Sequence, residues 1–299
     1  VKRSIAIDCA LLCLLTAVLI WPLFRVRYFD DWKSPDGAIV TSARYIQEHF
    51  PHPKWQALWY GGARFDYLNP PAAGFGSALL AMLLRVPPAQ AYHIFLAVFY
   101  CAGIAGVYFL VRVWTSRRGT AQRRGTAWLA AASYAFFSPV FAIFPAYRED
   151  SAHAMPLRLN YLIKWGDGPH IAALAITPFA LAFLYLALKR RSMPMLSLCA
   201  AACAFVVSAS LYAGIALAIL SAIVACSVAL EERNRVLLRY CALLAALTFG
   251  LCAWWLTPSF IKLVASNLNL VTSPGNTWSR WLGATIAVAI LIVTSKYAA

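Results

Sequence analysis

The sequence predicts an all-α fold, a polytopic bundle of about eight transmembrane helices whose first extracytoplasmic loop carries amphipathic surface helices. Three observations predict it. Hydrophobic residues fill 62% of the 299 positions and charged residues only 12%, with a mean hydropathy of +0.67; soluble domains carry about a quarter charged residues. Apolar runs of spanning length recur along the chain. The basic residues gather in short loops between those runs, as on the cytoplasmic face of a membrane protein. That arrangement accounts for the net charge of +15 without a nucleic-acid partner.

The first run, 4–25, reads as a retained helix. It is too long for a signal peptide, and Trp21-Pro22-Leu23-Phe24-Arg25 is no small-residue cleavage site. Further helices are expected at 91–112, 126–145, 169–188, 193–209, 211–229, 236–256 and 280–296. Lys2-Arg3, the Arg117–Arg124 loop, Lys189-Arg190-Arg191 and Arg233/Arg235 then share one side, the cytoplasm. The long loops 26–90 and 146–168 fall outside. The run 72–86 is apolar but short for a span, so it reads as an interfacial or re-entrant helix ending at Pro87-Pro88. Asp8, near the inner end of the first helix, pairs locally or snorkels. All eight cysteines lie in apolar runs without close ligand spacing, as small lipid- or core-facing residues do.

Within the first outer loop, Ser34 suits an N-cap and Pro35 the first helical position. Ile39, Ala43, Ile46 and Phe50 share one helical face, and Pro51 and Pro53 stop the helix. Gly61-Gly62 marks a tight turn or a close backbone approach. The aromatic residues around it, Trp55, Trp59, Tyr60, Phe65 and Tyr67, form either an interfacial belt or a platform for a sugar face or prenyl chain. Eight of the eleven acidic residues and all five histidines fall at or beyond the outer face, so titratable chemistry is expected there.

Several motifs together carry a family resemblance: Asp36 in the first loop, Trp59-Tyr60-Gly61-Gly62, Tyr67, Pro70-Pro71, Gly166-Asp167-Gly168-Pro169-His170, and Trp254-Trp255-Leu256-Thr257-Pro258. The chain resembles the GT-C superfamily of membrane glycosyltransferases, and within it the membrane family labelled "6-pyruvoyl-tetrahydropterin synthase-related". Tyr67-Leu68-Asn69-Pro70 departs from the aromatic residues that the family tends to place there. Members are usually longer, so residues 1–299 are expected to form an N-terminal portion.

The resemblance implies transfer of a sugar from a polyprenyl-phosphate-linked donor to an extracytoplasmic acceptor, in a bacterial plasma membrane with the N-terminus cytoplasmic. It assigns the catalytic base to Asp36, with Asp30 and Asp31 as alternatives. Arg148, Arg158 and His170 would hold the donor phosphate, and the Gly166–His170 turn would offer helix N–H groups to it. Trp59, Tyr60 and Tyr67 would form the acceptor or sugar platform. Asp31, Glu149, Asp150 and Asp167 are the candidates for a divalent cation, Mg or Mn. The lipid-linked sugar donor and membrane lipid are the expected partners. Two other readings stay open: a transporter or lipid flippase, and a non-catalytic scaffold of the same fold. Spans nearly free of ionisable residues weigh against an ion-coupled carrier.

Overall fold

The computed structural model describes residues 2–27, 36–57, 61–65, 70–115, 120–136, 156–163, 165–232 and 236–271. These residues form eleven α-helices and one two-stranded ribbon. Helix α1 covers Lys2–Leu19, α2 Asp36–His49, α3 Ala72–Leu84 and α4 Pro88–Trp114. Then come α5 (Thr120–Phe136), α6 (Leu157–Ile163), α7 (Gly168–Arg190), α8 (Met193–Ala209), α9 (Leu211–Glu232), α10 (Val236–Cys252) and α11 (Pro258–Val271). Strands β1 (Trp55–Gln56) and β2 (Ala63–Arg64) pair antiparallel between α2 and α3.

The expected count of about eight spans is corrected. Among the described residues only α4, α7 and α9 are long and apolar enough to cross a membrane. The apolar parts of α1, α3, α8 and α10 are shorter, at Ser4–Leu19, Ala72–Leu84, Met193–Ala209 and Leu237–Cys252. The first three end on a local signal. A 3-10 turn at Trp21–Phe24, containing Pro22, follows α1. Arg85, in the left-handed region, caps α3, and Ser210, in extended conformation, ends α8. Helix α5 opens with Gln122, Arg123 and Arg124, which lowers its hydropathy. The expected helix at 280–296 lies outside the described residues. The described residues thus form a helical protein with membrane-spanning capability in three helices.

Helix α4 is the organising element. Tyr92, Leu96, Tyr100, Ile104 and Tyr108, spaced by four, are all buried and make one continuous stripe. Helix α1 runs antiparallel along it: Asp8 meets Tyr108, Cys9 Sγ donates to Ala105 O at 3.8 Å, and Cys13 Sγ to Cys101 O at 3.7 Å. Helix α7 runs parallel to α4, with Gly168 against Tyr92 and Leu96, Ala175 against Gly103, and Phe179 against Gly106. Small residues set this spacing. Where lipid surrounds the helices, apolar burial alone drives little association, so close van der Waals approach carries the packing. A Cβ on Gly168 would lie 2.6 Å from the Leu96 methyls.

Three helices are clasped at the far end of α4. The buried Asp8 carboxylate accepts from Arg124 Nε at 3.0 Å and Nη2 at 2.7 Å, and from the Tyr108 hydroxyl. Asp8 therefore pairs across α1, α4 and α5. A second clasp joins Lys189 of α7 to Glu231 and Glu232 at the end of α9. Leu11, Leu14, Leu15, Val18 and Leu19 on α1, with Ile215 and Ile219 on α9, remain exposed. Such contiguous apolar flanks are what a bilayer covers.

Candidate functional site

Helix α2 follows the surface-helix pattern in part. Asp36, Ile39, Ala43 and Ile46 are buried, whereas Phe50 is exposed. The buried face packs on α3, where Gly74 leaves room for Ile46; a Cβ there would lie 3.3 Å from Ile46 Cδ1. Gly61 and Gly62 both have positive φ, and Gly62 backs onto the Trp55 indole, so the turn and the close approach coincide.

Asp36 is 7% exposed and accepts a hydrogen bond of 2.6 Å from the Tyr92 hydroxyl of α4. That hydroxyl packs against Gly168, the first residue of α7. The structure thereby brings Asp36 to the Asp167–Gly168–Pro169–His170 turn, through a tyrosine that sequence reasoning treated only as part of a helix. No local pattern could have singled out Tyr92, because its partner is 56 positions away.

Asp167 is the N-cap of α7, but its carboxylate makes no capping bond. It lines a cavity of about 400 Å³ instead. One wall is α2, with Ile39, Ser42 and Ile46; another is the start of α3, with Ala73 and Gly74. The α8–α9 junction lines it with Ser210, Leu211 and the exposed Tyr212. Ser210 Oγ caps α9 by accepting from Ala213 N at 3.4 Å, and His170 Nδ1 lies 3.3 Å from the same oxygen. The cavity is thus mostly apolar, and its polar lining groups are the Asp167 carboxylate and the Ser42 and Ser210 hydroxyls. It lies beside the first turn of α9, one of the three helices able to span among the described residues.

Arg158 lies elsewhere. Arg158 is 8% exposed, its guanidinium stacked 4.4 Å from the Tyr100 ring centroid and 4.2 Å from that of Tyr134. Nη2 donates to Tyr100 O at 3.2 Å, while Nε and Nη1 have no hydrogen-bond partner. Tyr100 stands about 12 Å further along α4 than Tyr92, at 1.5 Å per residue. His170 and Arg158 therefore serve different levels of the bundle. Asp30, Asp31, Trp59, Tyr60, Tyr67, Arg148, Glu149 and Asp150 lie outside the described residues.

Among the described residues, no group of three or more His, Cys, Asp or Glu is arranged to hold a metal ion. No family model, curated protein or solved structure matches the chain. With three helices able to span and no such cluster, the expected GT-C bundle and its glycosyl-transfer chemistry are corrected. Two of the motifs behind that resemblance have local explanations among the described residues. Asp167 to Pro169 start α7, and Thr257-Pro258 start α11, with Thr257 Oγ1 accepting from Phe260 N at 3.2 Å. Trp255 is buried and its Nε1 donates to Ser208 Oγ at 3.0 Å.

Proposed function

We propose that this chain is a membrane protein that binds an amphiphilic lipid in the cavity between α2, α3 and the α8–α9 junction. One observation carries the reading: the cavity is mostly apolar along α2 and α3 and includes the Asp167 carboxylate and the Ser210 hydroxyl in its lining. An apolar chain coming from water gains from such a lining, and one coming from the bilayer is held by close packing against it and by the polar groups. Both of these polar groups can accept hydrogen bonds, and one is a carboxylate. The matching head group carries hydroxyl or amine donors. In this reading a lipid enters past Leu211 and the exposed Tyr212, at the start of a helix able to span. In the same reading the membrane is a bacterial plasma membrane with the N-terminus cytoplasmic, which places the cavity at the outer face.

The test is native mass spectrometry of the protein purified in mild detergent with its host lipids. The wild type is expected to retain one lipid with a hydroxyl- or amine-bearing head. Ala38→Trp fills the cavity and should abolish retention. Asp167→Asn should weaken it by roughly ten- to a hundredfold, the range for a charge-assisted hydrogen bond. Equal retention by wild type and Ala38→Trp would refute the cavity as the site. Unchanged affinity in Asp167→Asn would remove the head-group assignment.

A further inference from the structure

Trp254 and Trp255 are neighbours in sequence with opposite surroundings. Trp255 is buried and its indole N–H is spent on Ser208, whereas Trp254 is 62% exposed. Both line a pocket of about 280 Å³ between the segment that follows α2 and the start of α11. Phe65, next to β2, and Phe75 of α3 add two more rings to its walls. Edge-to-face contacts hold those walls in place. Phe65 meets Phe75 at 6.0 Å between centroids, and Phe75 meets Trp254 at 5.7 Å with the two planes at 90°. The aromatic walls are thus set by their own pairing before any ligand arrives.

The rest of the lining is Pro51, His52, Pro53, Lys54 and Pro71. It contains no carboxylate, and both of its titratable side chains are basic. His52 and Lys54 are exposed, and among the described residues neither makes an ion pair. Their donors are therefore not spent within the protein. The backbone that carries them is restrained. Pro51 and Pro53 fix their own φ and restrict the residues before them. Phe65 N donates to Lys54 O at 3.1 Å, which ties the lysine to one of the wall rings.

We propose that this pocket binds a small aromatic carboxylate, with its ring among the aromatic walls and its carboxylate at Lys54 and His52. The volume lies just below the range of about 300–1,000 Å³ typical of drug-sized ligands, which suits a single substituted ring. A flat ring meets the wall rings in the same edge and face contacts that they make with one another. A carboxylate takes charge-assisted hydrogen bonds from an ammonium and from an imidazole N–H. Aromatic walls by themselves would also attract a cation. Lys54 decides against one, because no carboxylate in the lining offsets its charge. A role for Trp254 as an interfacial anchor alone would need neither the pocket nor the lysine.

Fluorine NMR of 4-fluorobenzoate with the full chain in nanodiscs of zwitterionic lipid tests the proposal, with empty nanodiscs as the blank. Saturable binding above the blank is expected. It should weaken roughly tenfold or more for 4-fluorobenzamide, which keeps the ring and loses the charge, and for the Lys54→Gln protein. Lys54→Arg should keep it. Acetate, which keeps the charge and loses the ring, should displace the probe only at roughly tenfold or more higher concentration than benzoate does. Absence of saturable binding to the wild type overturns the proposal, as does equal binding of the amide or equal binding by Lys54→Gln. Displacement by acetate as effective as by benzoate would leave a bare anion site and would also overturn it. The probe comparisons are made on the wild-type protein, so the test stands even if Lys54→Gln folds poorly. The pocket shares Phe65 and Pro71 with the lipid cavity, and neither is altered. Lipid retention should not change in Lys54→Gln, so this proposal and the lipid reading fail independently.

Discussion

Replacing Tyr92 by phenylalanine removes one oxygen from the centre of the bundle. That oxygen donates to Asp36 Oδ1 at 2.6 Å and packs on Gly168. A hydrogen bond to a charged group contributes about 1.5–3 kcal/mol, and burial of Tyr92 places this one at the upper part of that range. The ring itself stays, so no large cavity opens and the transfer contribution is unchanged. At about 2–4 °C per kcal/mol for chains of 150–250 residues, the melting point should fall on the order of 3–12 °C. The comparison that isolates the bond is a double-mutant cycle with Asp36→Asn, measured by thermal unfolding in detergent. Asparagine keeps an acceptor but loses the charge, so the two changes together should cost less than their sum. Strict additivity, or a Tyr92→Phe protein that melts with the wild type, would show that Asp36 and Tyr92 are neighbours without being partners. The link from α2 to the start of α7 would then have to be carried by apolar packing alone.

The clasp at Asp8 is asymmetric: the carboxylate is buried while Arg124 is half exposed. Arg124→Ala leaves a buried anion with Tyr108 and Trp128 but no cation, so it should lower the melting temperature more than Asp8→Asn does; the reverse order would refute the pairing. Arg158 shows the opposite balance, since its guanidinium is buried without a carboxylate and with two nitrogens unmatched. Arg158→Met should therefore melt at or above the wild-type temperature; a loss of several degrees would mean that stacking on Tyr100 and Tyr134 outweighs the cost of burying the charge.

Much of the helix pattern was legible in local sequence. The stripe on α4, the Pro-started α7, and the break at Ser210 between α8 and α9 each leave a mark within a few residues. Apolar periodicity, a proline at the first turn and a side-chain oxygen that caps the next helix supply those marks. The short helix at Ala72–Leu84 followed from run length. The span count did not follow, because hydropathy measures how apolar a stretch is and not how long one helix stays unbroken. At α1 the apolar character runs on past Leu19 into the Trp21–Phe24 turn, so composition extended a helix that the backbone had already ended.

The site was legible in its parts and not in its connections. Asp36 and the Gly166–His170 turn stood out as acidic and glycine-rich, but what joins them is Tyr92, whose sequence neighbourhood is ordinary core. Lys54 gave no signal, since one lysine in a polar loop is unremarkable until the fold sets Phe75 and Trp254 beside it. The same physics separates both cases from the helices. Helical pairing is local, between residues three or four apart, and leaves a repeat in the chain. A polar group in a cavity is matched or left unmatched by whatever the tertiary fold brings against it. Its meaning lies in contacts at long sequence separation, and those contacts give Asp167 and Lys54 their place in two cavities that share Phe65 and Pro71.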